Sequence, residues 1–186
     1  MPWVSFLFPL DRPRARQTRP LGITTRPFAV VLSCCWLLLL LLGPLPALAS
    51  YAERIDYTLT NQSGKDFHGQ ELSETSFAGA VARQANFDGA DLHGAIFTQG
   101  AFAGATFRGA NLTNVLMDRV DFAGADFSGA LLQGVIASGS SFAGATVNAA
   151  DFTDAILDRA DQVALCRKAK GIHPITGVDT RESLGC

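Results

Sequence analysis

KDFHG QELSE TSFAG AVARQ ANFDG ADLHG AIFTQ GAFAG ATFRG ANLTN VLMDR VDFAG ADFSG ALLQG VIASG SSFAG ATVNA ADFTD AILDR: residues 65–159, cut into fives, decide the fold of this chain. The third position of each pentad runs from Phe67 to Leu157 without a slip of register, and it is almost always Phe or Leu. Ala recurs two places before this centre and Gly two places after it. A period of five is neither the helical repeat nor the alternation of an ordinary strand. Self-similarity at a fixed short period is instead the mark of a solenoid.

Taken every fourth pentad, the centres sort by type. The first column is Phe67, Phe87, Phe107, Phe127, Val147, and the second is Leu72, Leu92, Leu112, Leu132, Phe152. The third is Phe77, Phe97, Met117, Ala137, Leu157, and the fourth is Ala82, Phe102, Phe122, Phe142. The structural repeat is therefore twenty residues, one square turn with a corner every five. Stacked turns hydrogen-bond along the axis at about 4.8 Å, and each turn buries its apolar face on the next. The core stack is expected at Phe67, Leu72, Phe87, Leu92, Phe107, Leu112, Phe127 and Leu132, with Ala in a shallower inward position. Gly after the centre suits the corner. The reading is all-β: a four-sided parallel β-helix.

Pentads such as ADFSG, ADLHG and ANFDG resemble the pentapeptide-repeat family, whose motif is A(D/N)LXX with Leu or Phe at the centre. The resemblance covers about half of the chain. It implies a right-handed four-sided β-helix, and it implies a binding or scaffold protein more than an enzyme. The tail CRKAKGIHPITGVDTRESLGC, over some twenty residues, resembles an exported cyanobacterial and thylakoid-lumen subset of that family.

Working outward, residues 1–49 read as a cleavable targeting segment. Arg12, Arg14, Arg16, Arg19 and Arg26 precede an apolar run from Phe28 to Leu42, a Pro pair, and the A-x-A cleavage pattern of Ala47 and Ala49. An uncleaved anchor is the alternative, but it needs about 20 apolar residues and the prolines interrupt the run. The mature form is thus not expected to span a membrane. Residues 50–64 read as a polar N-terminal lead-in or cap, 65–159 as the solenoid, and 160–186 as a C-terminal cap. In that cap Asp161 to Lys170 reads as a short helix stopped by Gly171. Thr176-Gly177 reads as a turn, and Asp179 to Glu182 as a capping box for a last helical turn.

Residues 1–49 hold five Arg and one acid of the chain's 15 basic and 17 acidic residues, which leaves the remainder near −6. That balance argues against nucleic acid as a partner through a basic patch. Cys34 and Cys35 leave with the targeting segment. Cys166 and Cys186 remain, an even pair in an exported chain, expected as a disulfide; two buried free thiols are the alternative. No metal site and no cofactor are expected, since CxxC spacing, a phosphate loop, a nucleophile elbow and a zinc-protease motif are all missing. His68, His93 and His173 do not cluster and read as solvated surface. His68, Asp88, Arg108, Ser128 and Asn148 form one outward polar column, a solvated face.

The residue before each centre should face outward. On the third side it reads Ser76, then Ile96, Leu116, Ile136 and Ile156, four aliphatic side chains in consecutive turns. This is the candidate docking stripe for an unknown protein partner or a second copy, with the chain a monomer or weak homodimer. The bland alternatives are a ladder that helps strands stack, or ground covered by the C-terminal helix. The function expected is a non-enzymatic interaction module of the thylakoid lumen or periplasm. A cytoplasmic DNA-mimicking topoisomerase inhibitor, suggested by the family resemblance and the acidity, and an unrecognised hydrolase are the alternatives.

Overall fold

A computed structural model describes residues 55–186; the expected targeting segment, its cleavage pattern and residues 50–54 lie outside the described residues. The coil is held by one rule repeated along the chain. The centre's N–H donates to the carbonyl before the next turn's centre, as Phe67 does to Asn86 at 2.7 Å. The residue before the centre donates back, as Asn86 does to Lys65 at 2.9 Å. Every bridge of the coil joins residues twenty apart and parallel, from Asp56↔Ser76 to Leu131↔Asp151, while the tail adds one antiparallel bridge, Ile172↔Asp179. Two stretches, β1 (Ile136–Ala137) and β2 (Ile156–Leu157), extend the pairing to two consecutive residues.

Corners are tight turns closed by a hydrogen bond from the next pentad's first residue to the centre, as from Gln70 N to Phe67 O at 3.2 Å. The fifth residue of every pentad from Leu59 to Asp154 has φ between 56° and 75°. A positive φ at that place is what a type II turn demands, and Gly meets it without the Cβ clash. That is why Gly dominates there. Asp and Asn before the centre have a second job. Their side chains accept the N–H two residues on, which the ladder leaves over: Ser128 N to Asp126 Oδ1 at 2.9 Å, Ala123 N to Asp121 Oδ1 at 3.0 Å.

The centres fill the interior. Phe67, Leu72, Phe87, Leu92, Phe107, Leu112, Phe127 and Leu132 are each 5 % exposed or less. In the first column the rings of Phe87, Phe107 and Phe127 stack at 5.0 Å per step, tilted by 4°. Ring spacing therefore follows the strand spacing, and the offset stack adds its own attraction.

The solenoid begins earlier than its sequence boundary at Lys65. Ile55 to Gly64 form two more pentads, bridged through Asp56↔Ser76 and Asn61↔Val81. Tyr57 is a true centre, stacked on Phe77 at 4.8 Å. The polar content of 55–64 reflects exposed positions of a coil, so this part of the expected lead-in segment is coil.

At the other end, α1 (Arg159–Cys166) and α2 (Thr180–Ser183) close the coil. α1 stops four residues short of the expected Lys170. The cause is the ladder: Lys170 O accepts the N–H of Ala149 at 2.8 Å, which draws the chain out of the helix to finish the last turn. The Asp179 side chain caps α2 by accepting from Arg181 N and Glu182 N. No helix among the described residues is long and apolar enough to cross a membrane.

Candidate functional site: an aliphatic ladder on the third side

Ile96, Leu116, Ile136 and Ile156 stand in direct register, each bridged to the next along the coil axis. Leu116 is 38 % exposed and Ile156 55 %, while Ile96 and Ile136 are half-buried by their neighbours in the ladder. The C-terminal segment leaves Ile156 more than half open, although Ile156 shares a cavity with Gln162 and Leu184. Val81, also exposed, stands on the adjoining fourth side.

The aliphatic side chains come at a local cost. At this position Asp or Asn elsewhere caps the N–H two residues on, and Ile or Leu cannot. At Ser138 that N–H goes instead to Asp118 Oδ1 at 3.1 Å, one turn below. Gly139 N goes to Asp158 Oδ2 at 2.8 Å. Asp118 and Asp158 thus line one edge of the stripe with carboxylates. Asp154 stands at the corner just before Ile156, and Arg119 follows Asp118.

The polar column of the first side behaves differently. Arg108 donates to Asp88 through Nε at 2.9 Å and Nη2 at 2.7 Å, and its backbone N–H does so at 2.9 Å. His68, Ser128 and Asn148 continue the column. Burial pushes the Asp88 carboxyl up, but the hydrogen bonds from Arg108 and Thr106 and the guanidinium charge outweigh it and hold the carboxyl below the ordinary aspartate value. This is a structural clasp between turns.

Two groups the sequence left on the surface are inside. His173 is 1 % exposed. Its Nδ1 accepts from Ile175 N and Thr176 N, and its Nε2 sits 3.1 Å from Gly129 O. The expectation of a solvated imidazole is therefore corrected: the tail's own turn folds the ring against the coil. Asp151, on the second side, is fully buried. Burial raises its carboxyl, yet donors from Thr153, Gln133 and Thr176 win and keep it below the usual range. Nothing in a lone His or a motif Asp signals burial; only the returning tail produces it.

Cys166 and Cys186 bring their sulfurs to bonding distance, 2.07 Å, with Cα atoms 5.7 Å apart. Beside them Arg159, Arg167 and Arg181 line a shallow cleft of about 290 Å³. A second, of about 300 Å³, lies under the cap between Phe152, Ile156, Leu157 and Leu184. Both stand at the low end of ligand-site volumes. Among the described residues no group of His, Cys, Asp and Glu is arranged to hold a metal ion.

Comparison with known proteins agrees with this architecture. Residues 66–99 and 84–136 match descriptions of pentapeptide repeats of eight and nine copies. A solved pentapeptide repeat protein from the thylakoid lumen of Arabidopsis thaliana is 38 % identical, covering 68 % of this chain and 88 % of its own, with a TM-score of 0.66. The pentapeptide repeat protein Rfr23 of the cyanobacterium Cyanothece 51142 is 24 % identical over 61 % of this chain and 71 % of its own, with a TM-score of 0.41. Comparison with curated proteins finds no match. Pentapeptide-repeat proteins form right-handed four-sided β-helices and serve in general as structural or interaction modules. Twenty-residue bridging, a corner every five residues and the match to the lumenal protein together place this chain in the pentapeptide-repeat family.

Proposed function

We propose that this chain is an exported, non-enzymatic interaction module of the thylakoid lumen or periplasm that holds a protein partner on its third side. The observation that carries the reading is the ladder from Ile96 to Ile156, four aliphatic side chains in one register with Leu116 and Ile156 exposed; the other exposed aliphatics, such as Leu59 and Ile175, form no such column. A contiguous one-sided apolar strip on a soluble domain marks a contact surface. Likeness to the lumenal Arabidopsis thaliana protein supports the compartment, as do the A-x-A pattern of the leader and a cysteine pair at bonding distance.

The ladder also lengthens strand pairing at β1 and β2, so the test must separate packing from docking. A photo-crosslinking residue is placed at Ile136, and another on the first side at Thr106, in the chain's own host. Discrete adducts from position 136, absent from 106 and lost with Leu116→Ser, support the module. Equal labelling at both positions removes it. Fractionation and N-terminal sequencing of the product check export; an uncleaved cytoplasmic chain would return the DNA-mimic reading.

A further inference from the structure

We infer that the third side accepts an amphipathic helix, apolar along one face and basic along its flanks, laid parallel to the coil axis. This rests on the docking reading above and specifies the partner's chemistry.

The ladder leaves no unpaired strand edge along this side. The N–H and C=O groups that bracket each stripe residue are spent on the turns above and below: Leu116 N bonds Ala95 O and Met117 N bonds Ile136 O. Strand addition, which works by backbone pairing, is therefore closed on this side, and a partner must bind through side chains.

Spacing then chooses between partner conformations. The stripe repeats about every 4.8 Å, and one face of a helix repeats about every 5.4 Å. Over the three steps from Ile96 to Ile156 the two drift apart by about 2 Å, less than half a step. An extended strand repeats a same-side residue about every 6.8 Å and is out by about 6 Å over the same span. Four contacts can be kept by a helix and not by a strand.

Size argues against a second copy as the occupant. The strip is roughly 14 Å long and one side chain wide, far below the about 800 Å² per partner that a stable pair of proteins buries. A single helix of three to four turns fits it. Charge sets the flanks. Asp118, Asp154 and Asp158 border the stripe and form no ion pair among the described residues, against two cations, Arg119 and Arg159. Lys or Arg beside the helix's apolar face meets them, which adds steering and specificity.

The test uses residues 50–186 and three synthetic peptides of about four helical turns. One has Leu on a single helical face with Lys flanks, one the same Leu pattern with Glu flanks, and one the Lys composition with Leu in strict alternation. Fluorescence anisotropy should show the first binding at least tenfold tighter than either other, and weakening at least tenfold with Leu116→Ser/Ile136→Ser. Should the Ser pair lower the melting temperature, Leu116→Thr/Ile136→Thr keeps strand propensity and must give the same loss. Equal binding of the alternating or Glu-flanked peptide, or binding untouched by both double variants, overturns the helix inference. Failure here with position-136 adducts intact refutes the helix alone; loss of those adducts refutes the docking side itself.

Discussion

Nε2 of His173 lies 3.1 Å from the carbonyl oxygen of Gly129, tying the returning tail to a turn laid down 44 residues earlier. Because Nδ1 already accepts two backbone N–H groups, the ring proton belongs on Nε2, donating to Gly129. His173→Phe keeps the volume but strands two amides and a carbonyl, at a cost of about 2–4 kcal/mol. His173→Asn retains an acceptor for the local turn while losing Gly129, and should cost less. Denaturant unfolding of both variants checks the order; a Phe variant as stable as Asn contradicts it.

Acid should attack the coil late. The Asp88 and Asp151 carboxyls are held below their unfolded value, which is about 3.9. Their contribution is complete above that pH and is lost as the pH falls through the folded values. These two groups should therefore give the melting temperature no pH dependence between pH 5 and 7, and lower it below about pH 4. Asp151→Asn should lower stability at pH 7 and flatten the acid limb. A limb unchanged in slope would mean that Asp151 is not among the groups responsible.

Phe107 stacks between Phe87 and Phe127 at 5.0 Å from each and is fully buried. Phe107→Ala should cost about 3–5 kcal/mol, as ring deletions in packed cores do. Urea unfolding that changes by less than about 1 kcal/mol would deny the stack its role.

The corner rule predicts opposite signs at two corners ten residues apart. Gly109 has φ of 64° with nothing within 4 Å of an added Cβ, so Gly109→Ala isolates backbone strain, about 1–2 kcal/mol. Arg119 has φ of 57°, and Arg119→Gly should stabilise by up to about 1 kcal/mol. Gly100 is at another place in its pentad, where a Cβ would stand 2.5 Å from the Phe102 ring and 3.0 Å from Phe97 O. Gly100→Ala should destabilise by overpacking. Thermal melts of the three variants settle each sign.

Reduction of Cys166 and Cys186 opens a loop of twenty residues, a loss of about 3 kcal/mol in the chain-entropy account. The loss should be local. Amides that the cap serves, Ala149 (to Lys170 O) and Phe152 (to Ser183 Oγ), should exchange faster, while Phe107 stays protected. Uniform acceleration along the coil would show that cap and coil open together.

The five-residue period made Phe107 and its column legible because every turn repeats one environment. It failed at Tyr57, where Ile55 and Thr60 replace the usual Ala and disguise two pentads; the surviving signals were Asp56, Asn61 and Gly64 at unbroken spacing. Lys168 to Lys170 favour helix locally, but the Ala149 N–H needs a partner, and tertiary pairing overrides propensity. His173 could not be placed from sequence, because its burial depends on contact with Gly129. For the stripe, the aliphatic column was readable, whereas its openness depended on where the tail came to rest.

A coil whose turns are bridged at twenty-residue separation has its surface written in a fixed arithmetic. Removing five residues between Leu116 and Ile136 would preserve corners, centres and ladder, yet swing everything downstream by one side. Ile136 and Ile156 would then continue the column of Asp91 and Asn111, and the stripe would be cut in two. Only whole turns of twenty lengthen such a rod without redrawing its faces. Size and surface are therefore inherited together here, and a relative longer by one pentad wears a different coat over the same interior.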